Sequence, residues 1–106
     1  MQENSSFTRI VKMSFQPDKT DLFLEIFKTS KEKIRGFKGC LSLELLRDKS
    51  CKNVFFTVSK WENEYALEDY RTSDLFRSTW KKTKVLFNDK PLAFSCDRIF
   101  FLPAEK

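Results

Sequence analysis

Histidine does not occur in this chain of 106 residues. That excludes a Ser-His or Cys-His nucleophile pair, a histidine general base and a proximal imidazole on haem iron. Acid–base chemistry, if there is any, falls to a carboxylate, a lysine, a tyrosine or the substrate itself. The three cysteines, Cys40, Cys51 and Cys96, form no CxxC pair. They read as free thiols of a reducing cytosol, two of them within strands, and three thiols without histidine do not make a zinc site of four clustered ligands. The only glycines, Gly36 and Gly39, suit turns and form no phosphate-cradling loop. No apolar run reaches the ~20 residues of a membrane span. The opening MQENSS is a polar tail rather than a secretory signal, so the expected location is cytoplasmic.

What is present is the composition of a folded domain. Hydrophobic residues make up 41% of the chain and charged ones 33%, with a net charge of +5. At this length one domain with a thin core is expected over residues 1–106, with 1–6 as a tail. The positive charge is dispersed. Its densest group, Lys81, Lys82 and Lys84, falls late in a helical stretch, where lysines complement the helix dipole and stay in water.

Phe7 to Phe15 alternates as a strand, with Phe7, Arg9, Val11, Met13 and Phe15 on one face. Gln16-Pro17-Asp18-Lys19 breaks it, and Asp18 or Thr20 can cap the helix that follows to Arg35. Gly36 is placed to end that helix in the left-handed conformation. Cys40–Arg47 reads as a second strand, with Leu41, Leu43 and Leu45 on one side. Val54–Lys60 reads as a third after a polar hairpin. Asn63 or Glu62 opens a helix carrying Tyr65, Ala66, Leu67 and Tyr70. Ser73 can cap another carrying Phe76 and Trp80. Leu92 to Leu102 reads as a long last strand. The order β-α-β-β-α-β predicts an α+β, ferredoxin-like domain: an antiparallel sheet with helices on one face. Both faces of the third and last strands are apolar, whereas a one-sided antiparallel sheet in water carries a polar second face. A homodimer through packed sheet faces follows as an expectation.

The segments GFKGCLSLELLRD at 36–48, VFFTVSKW at 54–61, ALEDYRTSDLFRSTW at 66–80 and KPLAFSCDRI at 90–99 resemble the antibiotic biosynthesis monooxygenase superfamily of dimeric α/β-barrels. The likeness runs from about Arg9 to Ile99. It includes the Gly-Cys turn, Ser59-x-Trp61 and Ser73-x-x-Phe76 in the family's order. Such a resemblance implies the fold and the dimer. For activity it implies either cofactor-free oxygenation of anthrones or quinols, with molecular oxygen as co-substrate, or haem degradation; other members have no known reaction. The haem degraders use an asparagine, a tryptophan and a histidine where this chain has Arg9, Tyr70 and Trp80, so haem of that type is not expected. Quinol-oxidising relatives often carry a histidine near Tyr70, which is also replaced.

Tyr70 is the candidate catalytic residue, because a phenol can hydrogen-bond a substrate oxygen in either role. The bland alternative is a half-buried tyrosine with its hydroxyl in water. Arg9 shares the phase of Val11 and Met13, so it points inward. It needs an anionic partner there, either a phenolate or enolate substrate or an ion pair with Glu44 or Asp97. Trp61 reads first as a core anchor, and Phe76 and Trp80 as a packed helical stripe; each can also wall an aromatic ligand. The function that the resemblance implies, and that the lack of a metal site allows, is a cofactor-independent monooxygenase of a phenol- or quinol-like molecule. The alternative is a non-catalytic small-molecule-binding or stress-related dimer. RNA recognition shares the element order, but Lys52-Asn53-Val54-Phe55-Phe56 lacks the glycine of its signature, so no nucleic-acid partner and no membrane partner is expected.

Overall fold

The computed structural model describes residues 5–105; most of the polar tail, residues 1–4, lies outside them. Strand β1 (Phe7–Ser14) leads through a 3₁₀ turn, Pro17–Lys19, into helix α1 (Thr20–Arg35). Strands β2 (Cys40–Arg47) and β3 (Val54–Trp61) form a hairpin. Helices α2 (Glu64–Arg71) and α3 (Asp74–Lys84) follow, then β4 (Leu92–Cys96). The sheet order is β2-β3-β1-β4 and every pairing is antiparallel. This is the α+β, ferredoxin-like architecture, with the second helical stretch divided in two.

The division has a local cause. Asn63 Oδ1 accepts from the Ala66 N–H at 2.9 Å and Ser73 Oγ from the Phe76 N–H at 3.1 Å. Each helix therefore has its own N-cap. The start of α1 differs from expectation: neither Asp18 nor Thr20 caps it, and the N-cap residue, Lys19, makes no side-chain cap bond. Pro17 opens a tight turn instead. The two glycines also exchange roles. Gly36 ends α1 in a right-handed conformation (φ −83°), whereas Gly39 takes φ +91°. Leu41 does not share a face with Leu43 and Leu45, because a register shift between Cys40 and Ser42 turns it outward.

The last strand is the largest correction. Pairing stops at Thr8 with Cys96, and residues 97–105 have no regular structure. β1 begins at Phe7, so only one further residue of it remains to pair. Ile99, Phe100, Phe101 and Leu102 are consequently exposed rather than alternating across a sheet.

The strand register sorts the residues that position the site. On the helix-covered face, β1 presents Phe7, Arg9, Val11 and Met13 opposite Trp61, Ser59, Thr57 and Phe55 of β3, and β4 adds Ser95 and Ala93 beside Arg9 and Val11. Large residues thus stand at both ends of this face and small or polar ones in the middle. The ends pack into two buried clusters. One is Phe7, Cys40, Trp61, Ala66 and Leu67; the other is Met13, Phe15, Phe23, Phe55 and Leu86. The space between them remains open.

Candidate active site

That space is a cavity of about 300 Å³ between sheet and helices, at the small end of the range for small-molecule sites. Its floor is Arg9, Val11, Thr57, Ser59 and Ala93. Its roof comes from Phe23, Phe27 and Ile34 of α1, Leu67, Tyr70 and Arg71 of α2, and Phe76, Thr79 and Trp80 of α3. The sequence leaves open which sheet face holds a pocket. The structure places it on the helix side, because only there do Thr57, Ser59 and Ala93 leave room under the helices.

All five residues singled out from the sequence, Arg9, Trp61, Tyr70, Phe76 and Trp80, border this one cavity. Four of them share an aromatic wall. Trp61 stacks on Tyr70 with ring centroids 5.1 Å apart, Phe76 meets Tyr70 edge-on at 5.2 Å, and Trp80 stacks on Phe76 at 5.7 Å. Trp61 is only 1% exposed and its indole N–H donates to Ser59 Oγ at 2.9 Å. It is a fixed core anchor whose ring backs the tyrosine. Phe37 closes the other side of Tyr70 at 5.5 Å.

The Tyr70 hydroxyl has no hydrogen-bond partner among the described residues, although the ring is partly buried and borders the cavity. Burial, with a smaller contribution from Cys40, pushes its pKa up to about 12. At neutral pH it is a neutral donor and cannot serve as a base. The sign of the linkage follows. Between about pH 10, where an unfolded tyrosine ionises, and about pH 12 the folded state binds more protons, so stability falls as pH rises through that window. Relative to Tyr70→Phe, the wild-type protein is expected to lose about 2–3 kcal/mol across it. Urea titrations at the two ends of the window check this, and parallel losses in both proteins would refute it. At neutral pH the substitution is expected to leave stability unchanged or slightly raised, because it removes a partly buried hydroxyl that has no partner among the described residues.

Arg9 points inward, as its phase requires, and Nη1 donates to Ser95 Oγ at 2.9 Å. It pairs with neither Glu44 nor Asp97. Glu44 lies in register with Val58 on the opposite face, and Asp97 follows the end of β4. Among the described residues Arg9 makes no ion pair. Burial first, then the positive charge of Arg71, lower its pKa from the ordinary value, but a guanidinium has so high a starting value that it stays charged.

Arg71 is the residue that sequence reasoning missed. As the last residue of α2 it looks like a solvated helix end, and it does hold Glu68 at 3.2 Å in an exposed i,i+3 pair. Yet it also borders the cavity. The alternation of small residues on the sheet, Thr57, Ser59 and Ala93, was the readable signal for the cavity floor; no such signal marks Arg71.

Among the described residues the lining contains no histidine, cysteine, aspartate, glutamate or lysine. The three cysteines are unpaired, Cys40 buried and Cys51 and Cys96 exposed. No described helix is long and apolar enough to cross a membrane.

The family model for antibiotic biosynthesis monooxygenase matches residues 6–82. Among solved structures the chain is similar to an antibiotic biosynthesis monooxygenase at 18% identity and a TM-score of 0.83, with 88% of this chain and 98% of that one covered. It is similar to a conserved protein from Methanosarcina mazei at 15% identity and a TM-score of 0.85, covering 90% and 94%. It also resembles a protein from Pseudomonas aeruginosa at 17% identity and a TM-score of 0.83, covering 94% and 100%. At these identities the structural likeness shows the fold. No curated protein sequence matches the chain.

Proposed function

This chain belongs to the antibiotic biosynthesis monooxygenase family, and from that premise we propose that it is a cofactor-independent monooxygenase of a small phenol- or quinol-like aromatic. The observation that supports this most is the unpartnered Tyr70 hydroxyl beside an arginine without a counter-ion, both facing one aromatic-walled cavity. In this reading the aromatic slides between the sheet floor and the Phe76–Trp80 wall. Tyr70 donates a hydrogen bond to a substrate oxygen, and Arg9 stabilises the deprotonated form. No lining group takes a proton near neutral pH, so the substrate must be acidic enough to ionise itself. The phenolate or enolate passes one electron to oxygen, and the radical pair combines at carbon. One oxygen atom stays as a carbonyl at that carbon, and the other leaves as water with the hydrogens of the carbon and of the phenol O–H, or of the CH₂ in a keto tautomer. The substrate supplies all four electrons, and none comes from a cofactor.

The same reading includes a homodimer in a reducing cytosol. The sheet face away from the helices carries Leu46, Phe56, Val58, Ile10, Phe94 and Leu92 in adjoining register positions. No described helix covers it, and Leu46, Leu92 and Phe94 are exposed. A second copy packed on this face accounts for it, at the ordinary scale of about 800 Å² per partner.

Oxygen uptake tests the enzyme. Over a panel of quinols, anthrones and flavonoid-like phenols, corrected for autoxidation, at least one compound is expected to give saturable uptake. Tyr70→Phe is expected to lower kcat/KM by about 100-fold, the scale of one lost catalytic hydrogen-bond donor. Saturable uptake equal in both proteins would remove Tyr70 from the mechanism. Uptake at the autoxidation rate throughout would favour the second reading, a non-catalytic binder of small molecules. That reading is supported by the absence of any lining group that titrates near neutral pH.

A further inference from the structure

Among the described residues two arginines border the cavity and no carboxylate does. Like charges that face one apolar space repel, and low dielectric strengthens the repulsion. Arg9 comes from the middle of the sheet floor and spends one N–H on Ser95 Oγ. A guanidinium has five donors, and the described residues supply Arg9 with no anion. Arg71 comes from the opposite wall, at the end of α2. Its only ion pair among the described residues is with Glu68, where both side chains are about half exposed (47% and 62%); such a pair is weak and easily exchanged. One cation is thus fixed and unpaired, and the other is loosely held, at the same opening.

We propose that the cavity takes an aromatic carboxylate, with the ring system against Tyr70, Phe76 and Trp80 and the carboxylate held between Arg9 and Arg71. The planar forks of two guanidinium groups match the two carboxylate oxygens, and an anion there removes the repulsion between them. This deepens the reading of the cavity as a site for a small aromatic and rests on it. It differs in one respect: the negative charge belongs to a permanent group of the ligand, separate from the oxygen that Tyr70 meets. Glu68 then acts as a competitor that releases Arg71 when the ligand enters.

The test uses ligands that cannot be oxidised, so it is independent of turnover. 2-Naphthoate and its neutral counterpart 2-naphthamide are titrated into the full-length protein, and binding is read from the fluorescence of Trp61 and Trp80. Naphthoate is expected to bind about 10–100-fold more tightly, the range of a charge-assisted contact. Arg71→Gln, at an exposed position, is expected to reduce the preference to less than about threefold, by weakening naphthoate binding much more than naphthamide binding. Glu68→Gln is expected to tighten naphthoate binding several-fold. Equal affinity for the two ligands, binding of neither, or a full preference retained in Arg71→Gln overturns the proposal. Oxygen uptake that fails while the naphthoate preference holds would remove the monooxygenase and keep the carboxylate site; uptake without the preference would do the reverse.

Discussion

Gly39→Ala is expected to destabilise the protein by about 2–4 kcal/mol, the sum of a left-handed backbone strain and an overpacked contact. Gly39 has φ +91°, where a side chain is strained whatever the space around it. A Cβ built there would also stand 2.4 Å from the Cβ of Ala66 in the first turn of α2. The contact is close because the turn is closed by a hydrogen bond from the Glu62 N–H to the Gly39 carbonyl at 2.9 Å. This brings the start of α2 down on β2 beside Trp61. The consequence reaches the site, because α2 carries Leu67, Tyr70 and Arg71. Urea unfolding gives the stability loss, and aromatic-ligand titration is expected to show weakened binding in the fraction that folds. A double variant separates the two costs. Ala66→Gly in the Gly39→Ala background relieves the steric part and is expected to return about 1–2 kcal/mol as a coupling energy, while the backbone strain remains. A double variant no more stable than the sum of the single changes would show that Ala66 is not what Gly39 accommodates.

Val58→Lys is expected to abolish dimerisation without unfolding the chain. Val58 lies at the centre of the face that no helix covers, in register with Glu44 on one side and Ile10 on the other. In an isolated subunit a lysine there keeps its charge in water and gains an acidic cross-strand neighbour. In a two-fold interface each subunit would bring the same lysine to the same buried patch. An uncompensated buried charge costs several kcal/mol, and about 4 kcal/mol corresponds to roughly a thousandfold in dissociation constant. Sedimentation equilibrium at tens of micromolar is expected to give twice the 12.6 kDa chain mass for the wild type and the chain mass for the variant. A wild-type monomer at that concentration, or a Val58→Lys dimer, would show that the sheet face is not the interface.

The chain alone determined the order of elements, the cap at Ser73 and the inward phase of Arg9, and it narrowed the start of α2 to Glu62 or Asn63. These depend on short-range rules: a side-chain period of two along a strand, a period near 3.6 along a helix, and the hydrogen bonds of a polar residue to the next turn. Together with side-chain chemistry and the family resemblance, they nominated Arg9, Trp61, Tyr70, Phe76 and Trp80, which the fold brings to one cavity. Tertiary structure decided the rest, because the remaining features depend on a partner distant in sequence. The apolar stretch after Cys96 has the composition of a strand but nothing to pair with, since β1 has almost run out. Gly36 and Gly39 are equally free to take a positive φ, and the approach of Ala66 selects Gly39. Leu41 leaves the core because the β2–β3 register shifts beside it. Arg71 reads as a solvated helix end, and only the placement of α2 over the sheet sets it at the same cavity as Arg9.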